Sequence, residues 1–312
     1  MNSTLRRLVT DRISLLLLST ALLSFEGSGA EPAAAPPTAR VPTIFVLGDS
    51  TANNNVRGQQ GWGTPLTNYF DPAKVRVANR GHAGTSSRSY YNGDWPKVVP
   101  EIQPGDYALL VFGINDGLGN FTGTGATRAS LTGTGEETQI VNEETVHSYG
   151  WYMAKMATDA TSRGAQVYFL TVAARNIWTN PRARFNDATI VSQEAQYNPA
   201  DDRIERGTAN GRYTQWTLEV AERLHLPALD LTNLQGDKFD RLGREAVMGN
   251  YADHNHTYPA GADIVAATIV SGLKAFKNSP FTALLSEKGR EVETADTKHV
   301  RENSAASSPP RN

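Results

Sequence analysis

A serine, a histidine and an aspartate in this sequence have the types and the local settings needed for acyl transfer. The strand-like run Thr43 to Leu47 ends in Gly48-Asp49-Ser50-Thr51, and Asp253-His254-Asn255-His256 lies near the other end of the chain. An apolar strand that stops at glycine and then presents a serine exposes a reactive hydroxyl at the edge of an α/β sheet. The pattern therefore predicts a serine hydrolase with Ser50 as its nucleophile.

His256 is the predicted general base, because a neutral imidazole can take the serine proton and return it to the departing alcohol. Asp253 lies three residues earlier and can hold the imidazole in the required tautomer. Non-catalytic interpretations stay open. Ser50 could cap the segment after it, Asp253 could cap a turn before the helix that begins at Pro259, and His254 competes with His256 as the base.

Two further residues could stabilise the oxyanion that forms during acyl transfer. The backbone N–H of Gly84 and the side-chain amide of Asn115 are the candidates, together with the N–H of Ser50 itself. Each has an ordinary alternative, since Gly84 and the run Asn115-Asp116-Gly117 are also typical of turns. The prediction depends on all of these groups meeting at one edge of the sheet.

Short apolar runs alternate with amphipathic helical segments, which predicts a parallel sheet covered on both faces. The predicted strands are Thr43 to Leu47, Val75 to Ala78, Tyr107 to Phe112, Gln166 to Thr171 and Pro227 to Asp230. Helical spacing is clearest at Tyr149 to Ala160, Tyr213 to Leu224 and Ala262 to Phe276. We predict a three-layer α/β/α sandwich with a doubly wound, mostly parallel five-stranded sheet, whose ligands bind at the carboxyl ends of the strands.

The two ends of the chain differ in composition from the part between them. Residues 1–30 have a basic start, a short apolar core and small residues at the end, which predicts a signal peptide. Residues 31–40 are rich in Pro and Ala and are predicted to be a linker. Residues 41–280 form the predicted catalytic domain, and residues 281–312 are predicted to be a polar, disordered tail.

Composition narrows the possible partners. Thirty basic and thirty-two acidic residues give a net charge of −2, so no charge field would attract nucleic acid or an acidic membrane. No cysteine is present, so neither a disulfide nor a cysteine-linked lipid anchor can form. The six histidines lack the spacing of metal ligands, and we expect no metal.

Ser50, Gly84, Asn115 and His256, in that order, resemble the SGNH hydrolase superfamily, also called the GDSL-type esterases, over residues 43 to 278. Within it the chain is most similar to the rhamnogalacturonan acetylesterases. That similarity is carried by four stretches: Asn79 to Ser89, Gly133 to Thr138, Ala174 to Trp178 and Asp253 to Thr257. Two departures are Ile114, where the family often has histidine, and Thr85, where it often has arginine. The resemblance implies the flavodoxin-like SGNH fold and no metal or organic cofactor.

Substrate contacts are predicted at six further positions in the loops around the cleft. Arginines could pair with uronate carboxylates, and aromatic rings could cover sugar faces. The predicted substrate-binding residues are Asp49, His82, Arg88, Arg175, Trp178 and His254.

The resemblance implies an esterase that removes O-acetyl groups from plant cell-wall polysaccharide, pectic rhamnogalacturonan in particular, through an acetyl-serine intermediate, and the predicted signal peptide indicates that it is exported. We expect an acetylated polysaccharide or oligosaccharide as substrate, no nucleic acid, no membrane association after signal cleavage, and a periplasmic or secreted location. One alternative is a small-ester or lipid esterase of the same superfamily, which the Gly- and Thr-rich loop 117–139 disfavours. The other is a carbohydrate-binding protein without catalytic activity. The sequence gives no prediction of oligomeric state.

Overall fold

A computed structural model describes residues 40–117, 121–179, 182–184 and 211–302. In these residues the central sheet has six strands, which are β1 (Thr43–Gly48), β2 (Arg76–Asn79), β3 (Tyr107–Val111), β6 (Gln166–Leu170), β9 (Ala228–Leu229) and β10 (Val300–Arg301). Their order across the sheet is β10-β9-β6-β3-β1-β2. Two separate hairpins pair β4 (Thr138–Val141) with β5 (Glu144–His147), and β7 (Ile177–Thr179) with β8 (Arg182–Arg184).

Helices connect the strands and cover the sheet. Those of the first half are α1 (Ser87–Gly93), α2 (Trp95–Val98), α3 (Gly125–Arg128) and α4 (Tyr149–Ser162). Those of the second half are α5 (Gly211–Arg223), α6 (Leu231–Leu242), α7 (Arg244–Met248), α8 (Pro259–Lys274) and α9 (Glu287–Glu291). Short 3₁₀ turns span Pro65–Tyr69, Val99–Glu101, Thr282–Leu284 and Thr297–His299.

Two hydrophobic cores lie on opposite faces of the sheet, because side chains alternate between the faces of a strand. From β1, Ile44 and Val46 enter the core that packs against α6 and α8. Phe45 and Leu47 enter the core that packs against α1, α4 and α5. All six residues of β1 are buried, as a strand covered on both faces requires.

The three-layer, doubly wound architecture predicted from the sequence is confirmed. Five strands are parallel and have the order β9-β6-β3-β1-β2, with β1 paired to both β2 and β3. The predicted strand number needs correction, because β10 adds a sixth strand antiparallel to β9. The strand order reverses beside β1, so the carboxyl ends of β1, β2 and β3 border the crevice where ligands bind in such folds.

The prediction of a disordered tail from residue 281 is wrong for residues 281–302. Phe281 is fully buried and contacts the rings of Phe70, Tyr107 and Tyr168. Further along, α9 packs against the turn Pro65–Tyr69, and β10 joins the sheet. The composition of this segment is polar, but its few apolar side chains are spaced so that they reach the core.

The other terminal predictions lie outside the described residues. The predicted signal peptide and nearly all of the linker fall in residues 1–39, and the last ten residues of the predicted tail are 303–312. The signal peptide, the linker and the disorder of residues 303–312 therefore stay predictions. Within the part of the chain that is described, no helix is both long and apolar enough to cross a membrane.

Replacing Phe281 with alanine should lower the free energy of unfolding by about 3–5 kcal/mol, because it leaves a cavity among three aromatic rings. Urea unfolding monitored by tryptophan fluorescence measures the change. The control is Glu287→Ala at an exposed position in the same segment, which should change stability by less than about 0.5 kcal/mol. Equal, small effects of both substitutions would show that the segment does not pack as described.

Candidate active site

Ser50 lies in a tight turn at the carboxyl end of β1. Gly48 is required there by close packing, since a Cβ on it would lie 2.9 Å from Cγ1 of Val111 and 3.1 Å from Cβ of Ala52. The turn is held by Asp49, whose Oδ1 accepts hydrogen bonds from both the N–H and the hydroxyl of Thr51, each at 2.8 Å. Ser50 is therefore presented by a rigid turn rather than by a mobile loop.

Asp49 is 1% exposed, so its side chain lies on the buried side of the turn and does not face the cleft. Burial raises the pKa of its carboxyl group, although the hydrogen bonds from Thr51 and the charge of His256 act in the opposite direction. Its predicted contact with substrate is not supported by this placement. The side chain acts on the geometry of Ser50 through the backbone of the turn.

His256 connects the two segments that the sequence predicted to meet. Its Nε2 lies 2.9 Å from Oγ of Ser50, and its Nδ1 lies 2.7 Å from Oδ2 of Asp253. The other carboxylate oxygen of Asp253 accepts the backbone N–H groups of Asn255 and His256, both at 2.7 Å. Desolvation would raise the pKa of Asp253, but these hydrogen bonds outweigh it and lower that pKa, so Asp253 remains ionised beside the imidazole.

The histidine loop is fastened to the chain beyond Ser50. The N–H of Gln60 donates to the carbonyl of Thr257 at 2.9 Å, and the hydroxyl of Thr257 donates back to the carbonyl of Gln60 at 2.7 Å. On the other side of the loop, the N–H of Ala252 donates to the carbonyl of His256 at 2.7 Å. These bonds keep the imidazole at hydrogen-bonding distance from the serine.

Gly84 and Asn115 lie in loops at the same edge of the sheet as Ser50. The loop before Gly84 is attached to β1, since the N–H of His82 donates to the carbonyl of Gly48 at 2.9 Å. Gly84 has φ +79°, a left-handed conformation that favours glycine. One N–H of the Asn115 amide donates to the carbonyl of Thr85 at 2.8 Å, which orients the side chain and leaves its second N–H for a ligand.

Asp116 joins the loops that carry these two residues. It is 1% exposed and accepts hydrogen bonds from the N–H and hydroxyl of Ser87, at the start of α1, and from the hydroxyl of Ser130 at 3.1 Å. Burial raises the pKa of Asp116 to about 6, despite the hydrogen bonds from Ser87 and Ser130 that lower it. The sequence analysis did not single out Asp116, although its position next to Asn115 is a usable signal.

Two more of the predicted substrate contacts, besides Asp49, are buried in the fold. Arg88 is 1% exposed, its guanidinium pairs with Glu144 and its Nη1 donates to the carbonyl of Ala129. Trp178 is also 1% exposed, and its Nε1 donates to Oδ1 of Asn176. The prediction that these side chains contact substrate is corrected accordingly, because Arg88 connects α1 to Glu144 and Ala129 and Trp178 packs in the hydrophobic core.

The remaining three predicted contacts are accessible. The ring of His82 is 60% exposed and its Nδ1 lies 2.7 Å from Oδ2 of Asp94. His254 and Arg175 are half-buried, and the N–H of Asn176 donates to the carbonyl of His254, which brings the two loops together. Contact of these residues with substrate stays a prediction.

The arrangement provides the groups that acyl transfer through serine needs. A hydroxyl lies within reach of an imidazole, the imidazole is held by a carboxylate, and oxyanion donors lie at the same sheet edge. In the described part of the chain no three His, Asp or Glu side chains group as metal ligands would, and the absence of a metal stays an expectation.

Changing Asp116 to asparagine should alter how stability depends on pH. The pKa of about 6 in the folded protein lies above the ordinary value of 3.8, so this carboxyl favours folding at low pH and that contribution is lost as pH rises through 6. Relative to Asp116→Asn, the wild type should lose about 1 kcal/mol of unfolding free energy between pH 5 and pH 7. Urea unfolding at both pH values measures this, and parallel pH dependence of the two proteins would contradict it.

Two relatives and one solved structure resemble the chain over most of its length. The rhamnogalacturonan acetylesterase of Emericella nidulans is 28% identical over 250 residues, covering 76% of this chain and 89% of that protein. The uncharacterized esterase YxiM of Bacillus subtilis is 28% identical over 239 residues, covering 74% of this chain and 52% of YxiM. The crystal structure of YxiM matches with a TM-score of 0.55 at 27% identity, covering 75% of this chain and 56% of that one. The chain thus spans about half the length of YxiM.

The model of the GDSL-like Lipase/Acylhydrolase family matches residues 46–264. That range is well over half of the chain and includes Ser50, Gly84, Asn115, Asp253 and His256. The chain therefore belongs to the GDSL-like lipase/acylhydrolase family.

Proposed function

We propose that this protein is an esterase that removes O-acetyl groups from acetylated carbohydrate of plant cell walls, with pectic rhamnogalacturonan as the preferred polymer. The observation that carries the catalytic part of this proposal is the hydrogen-bonded series of Ser50, His256 and Asp253, with distances of 2.9 and 2.7 Å. Ser50 itself is 8% exposed, and the side chains of His256 and Asp253 beside it are 27% and 33% exposed, which leaves access for an ester and for water.

The first half of the reaction transfers the acetyl group to the enzyme. Nε2 of His256 takes the proton of Ser50 as Oγ bonds to the acetyl carbonyl carbon. The negative charge that develops on the carbonyl oxygen is stabilised by the N–H groups of Ser50 and Gly84 and by the Asn115 amide. The bond to the sugar oxygen then breaks, and the imidazolium gives its proton to that oxygen, which releases the sugar alcohol.

The second half returns the enzyme to its starting state. Water attacks the acetyl carbon while His256 accepts a water proton, the bond to Oγ breaks, and Ser50 regains a proton from the imidazolium. Acetate is the other product. Asp253 stabilises the imidazolium in both halves and remains ionised, in keeping with its lowered pKa.

Two observations support an acetylated sugar as the substrate: the similarity of the chain to one relative, and the polar side chains in the loops around the site. The Emericella nidulans relative, matched over 89% of its length, is a rhamnogalacturonan acetylesterase. His82, His254 and Arg175 are accessible polar side chains in the neighbouring loops, and such groups suit a ligand rich in hydroxyls. We also propose export, on the composition of residues 1–30 alone.

Ser50→Ala should lower kcat for hydrolysis of p-nitrophenyl acetate and of acetylated rhamnogalacturonan by about four orders of magnitude or more, since the nucleophile is lost. Released nitrophenol and acetate measure the two reactions, and circular dichroism checks the fold. Ser162→Ala, an exposed serine at the end of α4, is the matched control and should keep full activity. Retained activity of Ser50→Ala would remove Ser50 from the mechanism.

Acetate release by the wild type from acetylated rhamnogalacturonan tests the substrate class. Release from this polymer at a higher kcat/KM than from acetylated xylan supports the proposal. Hydrolysis of p-nitrophenyl acetate without acetate release from any polysaccharide would instead favour the small-ester alternative.

A further inference from the structure

Arg128, the last residue of α3, places its guanidinium directly beside Gly84. A Cβ on Gly84 would lie 3.0 Å from Nη2 and 3.4 Å from Cζ of Arg128, so the charged group packs against the Cα of the proposed oxyanion donor. Arg128 is also the single basic residue of the Gly- and Thr-rich loop 117–139. Nothing in the sequence pattern indicated that this side chain reaches the site.

The backbone of Arg128 is held in place by the two residues after it. Ala129 and Ser130 are buried, the carbonyl of Ala129 accepts Nη1 of Arg88, and the hydroxyl of Ser130 donates to Asp116. The short helix α3 packs against α1, whose N-terminus also rests on Asp116. Arg128 and Gly84 are therefore positioned by the same buried carboxylate.

Among the residues that the structure describes, no carboxylate pairs with the charge of Arg128. Within the described residues, Arg40, Arg80 and Arg88 pair with Asp106, Glu101 and Glu144, whereas Arg128 makes neither an ion pair nor a hydrogen bond although it is half-buried. An arginine stays charged at any working pH, and partial burial removes some of its water. Its planar guanidinium group can donate two parallel N–H hydrogen bonds to the two oxygens of a carboxylate.

We propose that Arg128 binds a galacturonate carboxylate of the substrate close to the acetyl ester, and so makes the enzyme selective for acetylated polymers that contain uronate. The proposal rests on the esterase function proposed for Ser50. Three donors are already available for the ester oxygen, at Ser50, Gly84 and Asn115, which leaves the guanidinium for a substrate group outside the acetyl ester. Arg128 is a specificity residue in this account, in the role that Arg88 was predicted to fill.

Arg128→Gln tests the proposal, since glutamine removes the charge and keeps a polar side chain. On acetylated galacturonate-containing oligosaccharides, kcat/KM should fall about ten- to hundredfold, mainly through KM, as expected for loss of a charged hydrogen bond. On acetylated xylo-oligosaccharides and p-nitrophenyl acetate it should change less than about twofold. Arg128→Lys keeps the charge but lacks the planar guanidinium group. Its kcat/KM on the galacturonate-containing substrates should lie between those of the wild type and Arg128→Gln. The control is Arg76→Gln, an exposed arginine at the opposite end of β2, which should match the wild type.

Inhibition of p-nitrophenyl acetate hydrolysis by unacetylated oligogalacturonate tests the carboxylate contact separately from deacetylation. The inhibition constant should rise at least about tenfold in Arg128→Gln and should rise with salt in the wild type. Equal losses on acidic and neutral substrates would assign Arg128 to the reaction itself and overturn the proposal, as would unchanged inhibition. A wild type that is inhibited but releases no acetate from sugars would contradict the proposed function and leave the carboxylate contact supported.

Discussion

The hydrogen bond between Oγ of Ser50 and Nε2 of His256 joins positions 206 residues apart, and the fold around the site holds that one distance. On the serine side, β1 is buried on both faces and ends at Gly48, which packs against Val111. On the histidine side, Asp253 organises its own loop, and the paired bonds between Gln60 and Thr257 connect that loop to the chain beyond Ser50. Neither segment could position the other without the sheet between them.

Two buried carboxylates hold the turn and the loops of this site in place through hydrogen bonds. Asp49 fixes the turn that presents Ser50, and Asp116 holds the start of α1 and the segment after Arg128. Burial raises the pKa of both, which is the expected energetic cost of placing an acid out of water. Asp49 accepts two hydrogen bonds from Thr51, and Asp116 accepts hydrogen bonds from Ser87 and Ser130, so both act on the reaction through the groups they hold rather than through contact with substrate.

The layered fold could be predicted from the sequence because apolar runs and helical spacing are local signals, and the structure brings Ser50, Asp253 and His256 within hydrogen-bonding distance, as their roles would require. Continuous apolar runs identified the five parallel strands, and the spacing from Asp253 to His256 anticipated the observed contact. Burial of Arg88 and Trp178 could not be predicted in this way, since Arg88 pairs with Glu144, 56 residues away along the chain, and Trp178 packs into a core built from distant segments. The tail from residue 281 was mistaken for disorder because its composition is polar, although Phe281 alone fills a gap among three rings.

The coupling of Ser50 to His256 can be tested most directly by covalent labelling with an organophosphate ester such as diethyl p-nitrophenyl phosphate. Peptide mass spectrometry should find one diethylphosphoryl group per chain, on Ser50, and the rate of labelling should fall by several orders of magnitude, about a thousandfold or more, in His256→Ala. Labelling of another residue, or an unchanged rate at Ser50 without the imidazole, would contradict the account.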